Sequence, residues 1–370
     1  MVRFLHTADW QLGLKLAFIA GDRGAIARGE RFEVVRRLAD LAKERDVMAV
    51  LVAGDVFDDN AVGRDTLQRA RDVLALFKPI PVLLLPGNHD AASPDSVLRR
   101  LDAGAHVHAL LDRTPWDGVP GMRVYPCPLL RRHERDDPTR HLPPRAPGEP
   151  VRIAMAHGGL LDFDEAESPP NRIDWSAILD KGFDYVAMGD WHGTLRWGPR
   201  VWYSGTPEAT RFKEKRPGNA LLVEIDGPGA VPRVEEVAVA RTRWIERRES
   251  LEDAAGITAL ASWFEGLENK SMTLVDLTLA GVLSMADRAR LDEVLEVYRD
   301  SLMLLRVDDR ELHDRPTAED MDRLGADGYL GGAIARLRAE ATPEAEGALR
   351  LLYRFVVEDA RASGTGPGQS

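Results

Sequence analysis

The tetrapeptide Gly87-Asn88-His89-Asp90 sets an amide oxygen, an imidazole and a carboxylate side by side. It follows the apolar run Pro81-Val82-Leu83-Leu84-Leu85, which reads as a buried strand. A loop at the carboxyl end of a strand with this donor mix suits phosphate-ester chemistry on metal ions. Four more strand ends fit the same plan. Residues 2–8 lead into His6-Thr7-Ala8-Asp9-Trp10-Gln11, and 47–53 into Gly54-Asp55-Val56-Phe57-Asp58. Residues 151–157 end in Ala156-His157-Gly158, and 184–188 lead into Gly189-Asp190-Trp191-His192-Gly193. Hard oxygen donors mixed with imidazoles suit Mn²⁺, Mg²⁺, Fe²⁺ or Zn²⁺, and the lack of thiolates argues against a structural zinc site. Two ions about 3.5–4 Å apart would clamp a phosphate and activate a water between them. Asp55 is the natural bridge, because it can offer one oxygen to each. Any one of these residues alone is equally a cap or turn residue. Their ordered recurrence at strand ends carries the reading.

Strands and amphipathic helices must alternate to place such loops, and over the first ~225 residues they do. Besides those named, 201–204 and 219–225 read as strands. Helices over 28–45 and 64–77 show apolar stripes (Phe32, Val35, Leu38, Ala42; Leu67, Ala70, Val73, Leu74, Phe77) at helical spacing. The rhythm predicts a layered α/β domain with a largely parallel core. After Gly227-Pro228-Gly229 comes a shorter pattern: strand 244–249, helix 252–267, strand 272–281, helix 285–299, strand 302–308. Helices near 328–340 and 344–361 follow. The expected organisation is a catalytic domain over 1–228, a small α/β domain over 229–312, a helical segment over 313–362 and a flexible tail over 363–370.

Bulk properties exclude several classes. A single cysteine, Cys127, rules out an internal disulfide and fits a reducing compartment. No run approaches about 18 apolar residues and no secretory leader is visible, so a cytoplasmic protein without membrane contact is expected. The formal net charge of −11 argues against adhesion to nucleic acid by bulk charge. It leaves open a nucleic-acid enzyme with bound cations and local basic patches.

The motifs LHTADWQLG, AGDVFDD, LPGNHD, AHGG and MGDWHG, in this order, resemble those of the calcineurin-type metallophosphoesterases. Within them, the chain is most similar to the SbcD-type DNA repair exonucleases. The resemblance implies a β-sandwich flanked by helices, with a small α/β capping domain that binds DNA and a helical C-terminus. It also implies roles. Asp9 and His192 would hold one metal, Asp55 would bridge, and Asn88 and His157 would hold the other. His89 would contact the scissile phosphate, oriented by Asp90. Two positions depart from the pattern, which has Asp-x-His where Gln11 stands and Gly-His-x-His where Asp190 stands. Each metal thereby exchanges one imidazole for oxygen: the neutral amide of Gln11, the anionic carboxylate of Asp190. The expected ions are two Mn²⁺, with Mg²⁺ as the alternative and Zn²⁺ disfavoured. Gln11 could instead face solvent, and Asp190 could instead orient His192.

Two basic stretches bear on substrate. One carries Arg131 and Arg132 with Arg135, Arg140 and Arg145. The other carries Arg196, Arg200, Arg211, Lys213, Lys215 and Arg216. Either is a phosphate-backbone contact or an ordinary solvated surface. His6, inside a strand, is expected to pack or to support the site. His106, His108 and His313 are expected to be structural, and 162–167 to be a solvated acidic loop. The helix over 344–361 has a wide apolar face that either packs on its own domain or docks a partner. By resemblance that partner is an SbcC-type coiled-coil ATPase, since the chain has no phosphate-binding GxxxxGK[ST] loop of its own. A homodimer is also expected. The leading expectation is a metal-dependent DNA exo/endonuclease acting in DNA repair or end processing. Its rivals are a phosphatase or phosphodiesterase for small molecules or nucleotides, and a non-catalytic scaffold with a degenerate metal site.

Overall fold

The computed structural model describes residues 1–160, 171–314, 329–340, 342, 344–345, 348–349 and 351–352. They divide into two compact units, Met1–Trp244 and a second that begins at Ile245.

The first unit runs β1 (Val2–Thr7), α1 (Gly21–Glu44), β2 (Ala49–Val52), α2 (Arg64–Leu74), β3 (Val82–Leu84), α3 (Val97–Arg100), β4 (Val107–Ala109), β5 (Trp116–Val119) and β6 (Met122–Cys127). It continues with β7 (Val151–His157), β8 (Gly159–Leu160), β9 (Arg172–Ile173), α4 (Trp175–Asp180), β10 (Tyr185–Gly189), β11 (Leu195–Trp197), β12 (Val201–Tyr203), β13 (Asn219–Ile225) and β14 (Arg233–Ala238). Two six-stranded sheets result, in the orders β14-β13-β1-β2-β3-β4 and β11-β12-β10-β7-β6-β5. Strands β1 to β4 are parallel in the first, as are β6, β7, β10 and β12 in the second. Antiparallel strands close every edge but that of β4.

The period-2 alternation of buried strands builds the layers. On β1 to β3, Leu5, Val50, Val52, Val82 and Leu84 face the helices α1 and α2. Phe4, Leu51 and Leu83, one residue out of step, face the other sheet. There they meet Ile153 and Met155 of β7 and Tyr185 and Ala187 of β10. Ala154, Ala156, Val186 and Met188 turn the opposite way, toward Ile178 of α4. The unit is thus helix, sheet, sheet, helix, the sandwich the motifs implied.

The structure adds β4, β5, β6, β8, β9, β11 and β14 to the strands read from sequence. They are short, or carry Gly118 or Pro126, or, like the exposed edge strand β14, are half charged. The border expected at 228 lies in the turn between β13 and β14.

The second unit comprises β15 (Arg243–Leu251, which begins in the first), α5 (Ala254–Glu265), β16 (Thr273–Leu283), α6 (Met285–Ser301), β17 (Leu304–Asp314) and α7 (Tyr329–Glu340). The sheet order is β15-β16-β17, with α6 as the crossover between parallel β16 and β17. Asp253 and Ser284 cap α5 and α6 by accepting from Gly256 N and Asp287 N. Leu260, Phe264, Leu277, Leu279, Leu291 and Leu295 fill its core. The acidic loop 162–167, most of the helix over 344–361 and the tail 363–370 lie outside the described residues. No helix among the described residues is long and apolar enough to cross a membrane.

Candidate metal centre

Every expected ligand lies at or just beyond the carboxyl end of a parallel strand: β1, β2 and β3 in one sheet, β7 and β10 in the other. The first two loops are zipped together. Asp9 N donates to Gly54 O (3.0 Å), Gln11 N to Asp55 O (2.9 Å) and Leu12 N to Val56 O (2.9 Å). Asp9, Gln11, Asp55 and Asp190 all hold left-handed backbones, with φ of 55°, 44°, 51° and 95°. Such conformations cost non-glycine residues about 1–3 kcal/mol each and persist only where the surroundings enforce them. Two glycines permit the close approach of the loops. A Cβ on Gly54, itself at φ 99°, would stand 2.0 Å from His157 Nδ1, and one on Gly87 would stand 2.1 Å from Asp55 Oδ1.

Asp9, Asp55 and His157 each offer a ligand atom within 4.8 Å of the others, and all three are buried. His157 Nδ1 donates to the Ala53 carbonyl (2.9 Å), which leaves Nε2 facing the cluster. Nε2 lies 2.9 Å from Asn88 Oδ1, 3.4 Å from Asp55 Oδ1 and 3.7 Å from Asp190 Oδ1. Asp190 also donates its N–H to both Asp9 oxygens (3.2 and 3.3 Å), while its side chain, 39% exposed, sits at the rim. His192 lies beside Asp9's charge rather than inside the tight cluster. Its Nε2 is 3.2 Å from the Gln11 amide nitrogen. The expected ligands therefore come together as Asp9, Asp55, Asn88, His157 and Asp190, with Gln11 and His192 as an adjoining pair.

The electrostatics call for a cation. Burial pushes the Asp9 carboxyl up to about 6. Burial and the Asp55 charge push Asp90 up to about 7. Burial also opposes the charge of Asp55, but His157 and His89 more than offset it and hold that carboxyl below its usual range. His157 is likewise opposed by burial, yet Asp55, Asp9 and Asp190 raise it well above an ordinary imidazole. Among the described residues no Lys or Arg side chain pairs with Asp9 or Asp55. Buried carboxylates that converge with imidazoles and pair with no Lys or Arg side chain fit hard divalent ions.

His89 is held at the mouth. Its N–H donates to Asp55 Oδ1 (2.9 Å), its Nδ1 lies 2.8 Å from the Asp58 carbonyl, and its Nε2 is 4.0 Å from Asp55 Oδ2. Asp90 does not orient it. The Asp90 carboxyl accepts from Gly87 N (2.7 Å) and Phe57 N (3.1 Å), bracing the two loops from below. The imidazole is instead positioned by Asp58. His6 packs between the sheets against Tyr185 Oη (3.0 Å) and the Met188 carbonyl (3.2 Å), and burial lowers it to about 3.

Two supporting residues carry little signal in the sequence. Arg31 is buried, and its guanidinium donates to the carbonyls of Asp9, Trp10, Gln11, Glu208 and Ala209, fixing the first ligand loop. Its one mark is a charge in the apolar register of α1, four residues before Val35 and seven before Leu38. Glu214 accepts from His192 Nδ1 at 2.5 Å. Inside a basic stretch, it reads as charge balance.

The basic residues divide. Arg145 and Arg200 serve the fold, on Asp184 and on the Asp184, Gly229 and Ala230 carbonyls. Arg131, Arg132, Lys213 and Lys215 are exposed. Arg196, also exposed, lies over the Trp202 ring (5.5 Å). Arg211 is 70% exposed, with its Nε 3.6 Å from Glu214. Arg211 thus stands one carboxylate away from a metal-ligand candidate.

Residues 2–218 match the family model described as calcineurin-like phosphoesterase. The SbcD component of the nuclease SbcCD from Bacillus subtilis (strain 168) is 24% identical over 331 residues, covering 78% of this chain and 82% of that one. DNA double-strand break repair protein Mre11 of Saccharolobus solfataricus is 26% identical over 234 residues, covering 58% and 56%. The uncharacterized metallophosphoesterase YhaO of Bacillus subtilis (strain 168) is 23% identical over 367 residues, covering 89% and 85%.

Proposed function

The chain belongs to the calcineurin-like phosphoesterase family, and from that premise we propose that it is a metal-dependent DNA nuclease of the SbcD type. The observation that carries the nuclease reading is the loop over 210–215. It touches the metal centre through Glu214 and His192 and turns Arg211, Lys213 and Lys215 to solvent. A phosphodiester chain bound along these cations would pass the mouth where His89 stands. Arg196, Arg131 and Arg132 would extend the contact.

Asp9, Gln11 and His192 would hold one divalent ion, and Asn88, His157 and Asp190 the other, with Asp55 between them. The ions, Mn²⁺ first and Mg²⁺ second, would polarise the phosphoryl oxygens and supply the activated water. The chain's own part is positional. Asp58 fixes the His89 ring, leaving Nε2 to bond a phosphoryl oxygen or to give a proton to the leaving oxygen. Arg31 and Asp90 keep the ligand loops from shifting. In this reading the second unit serves as the DNA-binding cap. The helical C-terminus docks an SbcC-type ATPase, and the protein works as a homodimer in the cytoplasm, in DNA repair or end processing.

The test assays purified protein with Mn²⁺ on end-labelled duplex and single-stranded DNA, beside a generic phosphomonoester. Asp55→Asn and His89→Ala are the controls. DNA cleavage that both substitutions abolish supports the proposal. Monoester turnover without DNA cleavage would replace it with a small-molecule phosphatase. Folded protein that turns over neither would make the chain a scaffold.

A further inference from the structure

The two ring nitrogens of His192 face different partners. Nε2 points to the metal side, 3.2 Å from the Gln11 amide nitrogen. Nδ1 points away, 2.5 Å from Glu214 Oε1 and 3.2 Å from Thr210 Oγ1. The Glu214 carboxylate is only 2% exposed and is held in turn: Oε2 accepts from Thr210 N (2.9 Å) and Oε1 from Thr210 Oγ1. Along 210–215 the side chains alternate. Thr210, Phe212 and Glu214 are partly covered, with Phe212 against Trp244 at 4.9 Å, while Arg211, Lys213 and Lys215 are exposed.

A carboxylate on Nδ1 fixes an imidazole with its Nε2 lone pair toward a metal and makes that nitrogen a better donor. The dependence is sharper here than where two imidazoles share the work, because Gln11 offers only a neutral amide oxygen. We propose that Glu214 is the positioning residue that presents His192 Nε2 to the metal at the Asp9 side, and that it sets the affinity of that position. The inference rests on the metal-dependent reading above.

The test is Mn²⁺ binding to the full chain, followed by the electron paramagnetic resonance of the free ion. Wild type is compared with Glu214→Gln, which keeps the shape and removes the charge. The expected result is two binding steps in wild type, one of them weakened about 10–100-fold in the variant and the other unchanged. Should Glu214→Gln fail to fold, Glu214→Asp draws the carboxylate back from Nδ1 and is expected to weaken the same step. Phosphodiesterase activity lost in the variants should return when Mn²⁺ is raised, which a purely structural role for Glu214 would not allow. Unchanged binding steps in a folded variant would overturn this inference alone. Wild-type protein that binds no Mn²⁺ would overturn it together with the reading beneath it.

Discussion

Replacing Arg31 with Met tests whether the first ligand loop is held from behind rather than by its own turn. The guanidinium gives the Trp10 carbonyl two donors, Nη2 at 2.5 Å and Nε at 2.8 Å. It gives Glu208 O one at 3.1 Å and Asp9 O one at 3.2 Å. Thr206 Oγ1 also lies near Asp9 O (2.9 Å) and Glu208 O (2.6 Å), but its single hydroxyl proton serves only one of them, so the other is left without a donor after truncation. The Trp10 carbonyl loses both of its guanidinium donors, and Ala209 O loses its contact at 3.4 Å. A buried acceptor left unpaired costs about 1–3 kcal/mol, so three such groups give a loss of roughly 3–9 kcal/mol. For a unit of this size each kcal/mol is worth about 2–4 °C in Tm. Calorimetry should therefore place the transition of the first unit about 6–36 °C lower. Mn²⁺ affinity should fall with it, because Asp9 and Gln11 keep their left-handed backbones only while the loop is braced. Arg31→Lys should recover little, since one ammonium cannot span the loops at 9–11 and 206–209. A Tm within about 2 °C of wild type, with unchanged Mn²⁺ binding, would refute the reasoning.

Three further outcomes are expected. Gly54→Ala sets a Cβ where His157 Nδ1 stands, in a left-handed backbone, so the folded variant should lose Mn²⁺ binding by at least about tenfold in a calorimetric titration. His6 is neutral in the fold, at about 3, and takes a proton in the unfolded chain below its ordinary 6.5. Its contribution is thus complete above pH 6.5 and is lost as pH falls toward 3. Urea unfolding across that window should show wild type losing about 1.4 kcal/mol per pH unit more than His6→Gln. In a metal series, Mn²⁺ or Mg²⁺ should give the highest phosphoesterase rate, and Gln11→His should move the preference toward Zn²⁺. A wild-type rate highest with Zn²⁺ would contradict the oxygen-rich assignment of the site.

Most ligand candidates are readable from sequence because each lies within a few residues of a strand end whose apolar alternation is unbroken. Strand periodicity places Asp9, Asp55, Asn88, His157 and His192 at one edge without knowledge of the pairing. The partners that orient them follow no such rule. Glu214 reaches His192 across 22 residues and through a β-hairpin. Nothing in a run of cations marks one acid as buried. Asp90 shows the opposite error. Next to His89 in sequence, it invites pairing, yet adjacent residues in a turn point apart. The Asp90 carboxyl goes down to the amides of Gly87 and Phe57, while the imidazole turns to Asp58. The missed strands fail for another reason. β14 is stabilised by its pairing with β13, from Asn219↔Ala238 to Glu224↔Arg233, and its charged side chains carry no apolar signal.

The two departures from the family pattern fall where the backbone, not the side chain, holds the geometry. Gln11 keeps its left-handed turn through its N–H to Asp55 O and its carbonyl to Arg31, and Asp190 keeps its own through its N–H to Asp9. None of these three bonds involves the side chain that an imidazole would replace. The cradle therefore tolerates a change of donor without refolding, and the exchange acts on metal affinity alone. His157 differs from these positions. Its Nδ1 bond to Ala53 O ties the second sheet to the loop after β2, so substitution there should disturb loop and ligand together. Gln11→His should accordingly change metal binding with the Tm of the metal-free protein unmoved, whereas His157→Gln should lower both.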